Sequence, residues 1–156
     1  MKNLWTPLVI AAAVLVDQLS KALALAQLSL GTAVPVLPGF NLRLGFNEGA
    51  SFGLLSGVMA GRPLAMVALT GVLTLVLAVM AFRTSDSLER AGFALIVGGA
   101  LGNIIDRLRH GAVTDFVDLY WQDWRWPTFN LADVAIFLGA LCIFATVFQK
   151  RPRPSA

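Results

Sequence analysis

The sequence predicts an all-α membrane protein of four transmembrane helices, with a small extracytoplasmic β platform between spans one and two. Three observations predict it. The chain is 57% hydrophobic and only 13% charged, whereas soluble domains carry about 25% charged residues. Four segments reach the roughly 20 apolar residues that a bilayer-spanning helix needs. The connection after the first of them alternates apolar with smaller or polar residues, the period of a strand. With 156 residues the chain is read as one membrane domain, 1–156, without room for a second globular unit.

Span one runs from about Trp5 to Ala26. Met1-Lys2-Asn3 ahead of it imitates a signal peptide, but the apolar stretch continues through Ala26 with charged residues inside it, and no small-residue cleavage site closes a short core. The connection from Gln27 to Pro63 contains Phe40, Leu42, Leu44 and Phe46 on alternate positions, punctuated by Pro35, Pro38, Gly39 and Gly45. That pattern predicts a short β-segment with one greasy face. Span two, Leu64 to Phe82, carries no charge. Span three starts at Ala91 and runs into Asp106-Arg107, and its Gly98 and Gly102 form a GxxxG pair suited to close helix packing. Trp121, Trp124 and Trp126 between spans three and four predict an anchoring belt at the water–lipid boundary, with room to line a groove for a lipid-bearing substrate as well. Span four runs from about Leu131 to Phe148 and contains only Asp133 as a charge.

Basic residues give the orientation. Lys2, Arg83, Arg90, Lys150, Arg151 and Arg153 fall on one side, and Arg43, Arg62, Arg107, Arg109 and Arg125 on the other. Both termini are assigned to the cytoplasm. Seven of the nine acids lie in the spans or on the second side, all but Asp86 and Glu89, which reads as functional placement.

Several classes drop out. No basic run is interleaved with aromatics, so the net charge of +3 does not indicate nucleic acid. Cys142 is alone in an apolar helix and reads as a packing residue, so there is no disulfide framework. His110 is the single histidine, and HExxH and paired CxxC motifs are absent, so neither a metal nor another cofactor is expected.

The remaining polar residues form constellations. Asp17 and Lys21 stand four apart, acid first, as an ion pair on one helical face; they either lock helix packing or hold the polar part of a ligand. Asn47-Glu48-Gly49 reads first as a turn, and otherwise as a substrate clamp in which Asn47 bonds a peptide backbone and Gly49 permits close approach. Asn103, Asp106 and Arg107 share a helical face, with Asp106 expected to pair with Arg107 as scaffold. Asp115 lies just past span three and Asp133 opens span four. Consecutive spans run antiparallel, so the two carboxylates fall on the same side of the bilayer. There they can share a proton, one acting as general base on water while the other activates a carbonyl. Asp133 could instead cap the fourth helix. Asp118, one helical turn from Asp115, is its rival, and Asp123 among the tryptophans reads as solvated.

Four blocks resemble the lipoprotein signal peptidase (signal peptidase II) family, in order and in spacing. They are Asp17-Gln18-Leu19-Ser20-Lys21, Asn47-Glu48-Gly49-Ala50-Ser51-Phe52, Gly102-Asn103-Ile104-Ile105-Asp106-Arg107 running on to Asp115-Phe116, and Phe129-Asn130-Leu131-Ala132-Asp133. The resemblance implies an aspartic endopeptidase of the bacterial inner membrane. It would remove signal peptides from diacylglyceryl-modified prolipoproteins on the amino side of the lipidated cysteine, near the outer leaflet. It maps the catalytic pair onto Asp115 and Asp133, and supporting residues onto Asp17, Lys21, Asn47, Gly49, Asn103, Asp106, Arg107 and Asn130. The expected partners are the prolipoprotein and membrane lipid, with the enzyme itself a monomer.

Rival readings are a small transporter coupling protons through Asp17, a non-enzymatic assembly factor, and a serine intramembrane protease. The first leaves two further aspartates at one mouth unexplained. The second predicts that Asp115 and Asp133 matter only through folding. The third lacks a Ser–His pair at helical spacing.

Overall fold

Each of the four apolar segments forms one long helix: α1 (Trp5–Gln27), α2 (Pro63–Arg83), α3 (Ser87–His110) and α4 (Leu131–Gln149). All four are long and apolar enough to cross a membrane. The structure, a computed structural model, describes residues 4–49 and 62–149. Ala50, Ser51 and Phe52 of the second motif, Ser56, which the sequence reading puts on the extracytoplasmic side, and the basic residues Lys2, Lys150, Arg151 and Arg153 lie outside the described residues.

Local chemistry sets the helix ends. Pro63 occupies the first turn of α2, where a missing N–H costs nothing. α3 begins four residues before the predicted Ala91, because Asp86 caps it: its Oδ1 accepts from the N–H groups of Leu88 (2.9 Å) and Glu89 (3.0 Å). α3 ends at Gly111, whose φ of 77° suits glycine and whose N–H bonds Arg107 O at 3.1 Å.

α3 is the central helix. Half of its apolar window is buried, against 17% for each of the other three. Its glycines explain how neighbours come so close. A Cβ at Gly98 would meet Ala13 Cβ at 2.6 Å and Ile10 O at 2.9 Å of α1. One at Gly102 would strike the Asp17 carboxylate. Both glycines of the GxxxG pair therefore face α1, Gly98 against its backbone and Gly102 against the Asp17 side chain. On the α4 side, a Cβ at Gly99 would meet Ile136 Cγ1 at 2.9 Å, and one at Gly92 would meet Gly139 O at 2.7 Å and Cys142 Cβ at 3.2 Å. α2 packs on α3 through a narrow stripe whose buried members are Met66, Thr74 and Ala81.

The β platform is larger than the sequence reading, which confined it to the connection between spans one and two. β1 (Ala33–Leu37) and β2 (Phe40–Asn47) form a hairpin around Pro38-Gly39, and β3 (Val113–Trp121) and β4 (Trp124–Arg125) form a second. The order is β1-β2-β3-β4, antiparallel throughout. The tryptophan segment is thus part of the sheet, with Trp121 and Trp124 exposed on its second hairpin. The alternation expected for β2 is broken, since a register shift lies between Leu42 and Gly45. As a result Asn41 and Leu44 are buried while Phe46 is exposed.

Candidate active site

Three elements converge where α3 meets the sheet. β3 follows α3 directly, so Asp115, just past the span, stands on a strand and pairs with Gly45 of β2. Phe129 locks the chain against β3 just before α4: its carbonyl accepts from the N–H groups of Phe116 (3.0 Å) and Val117 (2.9 Å). This brings the next residue, Asn130, beside Asp115.

Asn130 is fully buried and its amide is spent in three directions. Its Oδ1 accepts the N–H of Asp133 at 3.0 Å, the bond of an N-cap to the third helical residue. Its Nδ2 donates to Asp115 Oδ1 at 2.7 Å and to Asn103 Oδ1 at 3.2 Å. The cap of α4 is therefore Asn130, which leaves the Asp133 carboxylate for other work. Asn103 of α3 donates from Nδ2 to Asp133 Oδ1 at 3.1 Å. Asn47, at the end of β2, donates to Asp115 Oδ2 at 3.3 Å and accepts the Gly49 N–H at 3.0 Å.

Asp115 is 2% exposed. Burial is the largest cause pushing its carboxyl up to about 7, followed by the negative charge of Asp133. The hydrogen bonds from Asn130 and Asn47 and the positive charge of Lys21 pull the other way. A carboxyl that keeps its proton to near neutrality, beside a second carboxylate, is suited to acid/base work.

Beneath this pair lies a buried charge cluster. Lys21 Nζ bonds Asp17 Oδ2 (2.9 Å), Asp106 Oδ2 (3.0 Å) and Asn103 Oδ1 (2.9 Å). The predicted Asp17–Lys21 pair is present, but the ion-pair partner of Asp106 is Lys21 of α1 rather than its neighbour Arg107. Asp106 also accepts the N–H of Thr114 at 2.9 Å and so pins the start of β3 to α3. Asp17 accepts the N–H of Ala132 at 2.9 Å in the first turn of α4, where a negative group suits the helix dipole. Arg107 donates from Nη2 to Gly49 O at 2.5 Å and is attracted by Asp133, Asp115 and Asp106.

All ten predicted site residues thus lie in one connected region. Sequence reasoning passed over Gln18, whose Nε2 donates to Asp17 Oδ2 (3.2 Å), Gly102 O (3.2 Å) and Asp106 Oδ1 (3.0 Å). An amide next to a charge inside an apolar span was the available signal. Asp118 is not a helical turn from Asp115. Three residues apart on a strand, the two side chains point to opposite faces. Asp118 instead binds Asn41 (3.1 Å) and Arg125 (2.5 Å).

A cavity of about 350 Å³ lies against Asp133 and Asn47, with Thr128 a further polar residue of its described wall. Leu119, Trp126, Phe129 and Phe137 contribute apolar surface. An extended apolar chain can lie here with a polar group at the carboxylate end.

The family model described as signal peptidase (SPase) II matches residues 9–149. A lipoprotein signal peptidase from Yersinia pseudotuberculosis serotype O:1b (strain IP 31758) is 42% identical over 158 residues, covering 100% of this chain and 92% of that protein. One from Yersinia pestis (strain Pestoides F) is 42% identical over 145 residues, covering 92% of this chain and 84% of that protein. A solved bacterial membrane enzyme, determined in meso at 2.3 Å resolution, shares the fold with a TM-score of 0.82 at 24% identity, covering 97% of this chain and 94% of its own. A second, at 1.9 Å resolution, gives a TM-score of 0.81 at 25% identity, covering 94% of each chain. With the model match spanning nearly the whole of the helical bundle and its sheet, the chain belongs to the signal peptidase II family.

Proposed function

We propose that this protein is an aspartic endopeptidase that removes signal peptides from diacylglyceryl-modified prolipoproteins, cutting on the amino side of the lipidated cysteine. The observation that carries the reading is the amide bridge between the two carboxylates: Asn130 holds Asp115, Asn103 holds Asp133, and the two amides touch. Asp115, raised to about 7, is the member that keeps a proton and donates to the scissile carbonyl. Asp133, at the cavity wall, takes the proton from the attacking water. The relatives named lipoprotein signal peptidase support the substrate class.

The sheet lies at the extracytoplasmic face of the bacterial inner membrane, with both termini cytoplasmic and the active site near the outer leaflet. Chain connectivity supports this arrangement, since the C-terminal ends of α1 and α3 and the start of α4 all adjoin the sheet, leaving the α2–α3 turn, with Arg83 and Arg90, at the other end. Asn47 and Arg107 hold the peptide backbone, the lipid stays with the bilayer, and the enzyme works as a monomer without a metal. Asp17, fully buried, has its carboxylate engaged by Lys21, Gln18 and the Ala132 N–H, which supports a structural role over proton coupling.

The test is cleavage of a diacylglyceryl-modified precursor by the purified protein in detergent, with the product's N-terminus identified. The expected product begins at the lipidated cysteine, and the unlipidated precursor is turned over poorly. Equal turnover of both precursors, or a product beginning elsewhere, overturns the assignment.

A further inference from the structure

We infer that Asp118 and Arg125 form a brace that sets substrate affinity by holding one wall of the cavity beside Asp133. The inference rests on the peptidase reading above and concerns residues that make no contact with either reacting carboxylate in the described structure. Asp118 is a charged side chain that is only 1% exposed, on the face of β3 turned away from Asp115. Its Oδ2 takes both Asn41 Nδ2, from its cross-strand partner on β2 (3.1 Å), and Arg125 Nη1 from β4 (2.5 Å). One oxygen thus ties three strands together. Arg125 is also stacked over its cross-strand partner Tyr120, with its guanidinium 5.3 Å from the ring centroid.

β4 needs such a tie. It has two residues, both exposed, paired to β3 only at Tyr120↔Arg125 and Trp121↔Trp124. A two-residue strand has little stability of its own. Directly after it the chain continues as Trp126, Pro127, Thr128 and Phe129, which is the wall of the cavity, with the Trp126 N–H bonded to Leu119 O at 2.9 Å. Trp126 also meets Trp124 edge-on, their ring centroids 5.6 Å apart. Arg125 is therefore the last residue of β4 before the wall, and a buried carboxylate anchors its side chain. Removing either charge loosens β4 and the Trp126 end of the wall, while Phe129 stays bonded to β3 and Asn103, Asn130 and Asn47 still hold the reacting pair. Binding is then affected, and chemistry is not.

The experiment is steady-state kinetics on the lipidated precursor with full-length Asp118→Asn, Arg125→Gln, the double variant, Trp126→Ala, and Arg125→Gln combined with Trp126→Ala. Turnover by the wild-type protein establishes the peptidase reading independently of the brace. Each single brace variant is expected to raise KM about tenfold while kcat changes less than about twofold. The double variant, in which two neutral amides face each other, is expected to recover part of the loss, because it leaves no unpaired buried charge. On the Trp126→Ala background, Arg125→Gln is expected to raise KM no further, since its effect passes through that wall. Unchanged KM in folded Asp118→Asn and Arg125→Gln, a loss confined to kcat, or additive effects with Trp126→Ala would each overturn the brace.

Discussion

Asn130 donates from Nδ2 to Oδ1 of Asn103 across 3.2 Å, and this contact between two amides joins the holders of the two carboxylates. Asn103 Oδ1 also accepts from Lys21 at 2.9 Å, so its oxygen faces two donors and its NH₂ is left to face Asp133. The orientation of an amide is thus dictated by a lysine buried one layer down, in a helix 82 residues away in sequence. Groups held this way lose little freedom when a substrate arrives, which is the physical content of preorganisation.

The pH profile should carry the mark of Asp115. If Asp115 must donate a proton, kcat/KM falls as pH rises through about 7. Asn47→Ala removes one of the influences that hold this value down, so its basic limb should lie at higher pH than that of the wild type. Stability follows the same sign. Between the ordinary value of 3.8 and about 7 the folded state holds a proton that the unfolded chain has released. Asp115 therefore makes the protein less stable as pH rises through that window, and Asp115→Asn should flatten the slope. A basic limb that stays put or moves down in Asn47→Ala would sink the assignment.

Lys21→Met should be strongly destabilising. It leaves the carboxylates of Asp17 and Asp106, 0% and 4% exposed, facing each other without their cation. Breaking one side of a buried ion pair costs about 3–5 kcal/mol. Thermal unfolding in detergent should show the loss, and Lys21→Met with Asp17→Asn and Asp106→Asn should regain part of it. A Tm equal to wild type in Lys21→Met would show that the cluster is not structural.

The four spans were legible because a bilayer-spanning helix is written in consecutive residues. Span two, from Leu64 to Phe82, needs no tertiary information to be recognised. β3 was not legible for the opposite reason. Val113, Thr114, Asp115 and Phe116 are all buried, so a strand covered on both faces shows no alternation. Its run of valine, phenylalanine and tyrosine between Gly111 and Pro127 was the remaining clue. The error over Asp118 follows directly, since the same three-residue spacing that joins side chains on a helix separates them on a strand. Asp106 was assigned to Arg107 from adjacency, whereas its ion-pair partner Lys21 is supplied by packing of α1 on α3, which no local pattern encodes. The grouping of Asp17 and Lys21 was readable because both ends of that bond lie on one helix.

Gly102→Ala tests how tightly α1 and α3 are joined at the site. The new methyl group would strike the Asp17 carboxylate, with Cγ at 3.0 Å. Asp17 cannot retreat without leaving Lys21 and the Ala132 N–H. Lower thermal stability together with lower kcat is expected, because Lys21 loses the geometry that orients Asn103. Gly71→Ala, where a Cβ has open space, is the control and should be neutral or mildly stabilising. Equal behaviour of the two variants would contradict the packing argument.

Topology can be read by cysteine labelling on a Cys142→Ala background. Asp86 caps α3 at the α2–α3 turn, and Trp124 stands on the sheet hairpin. With intact spheroplasts, Trp124→Cys should react with an impermeant maleimide and Asp86→Cys only after lysis. Ser56, also expected outside, can be probed the same way. Labelling of position 86 but not of 124 and 56 reverses the orientation.

The reacting pair itself gives the most direct test. Asp115→Asn and Asp133→Asn keep size and polarity, and the amide partners Asn130 and Asn103 remain to hold them, so each variant should fold and insert. Each removes one half of an acid/base pair, and kcat should drop on the order of 1000-fold or more. The double variant should lose little beyond either single one, since two groups that act on one water and one carbonyl fail together. Asp118→Asn faces the opposite side of β3 and should retain most of its kcat. A loss in Asp115→Asn that merely tracked its thermal stability would indicate scaffold in place of chemistry. Near-normal cleavage by Asp133→Asn would leave the cavity beside it without its base, and the aspartic mechanism would have to be abandoned.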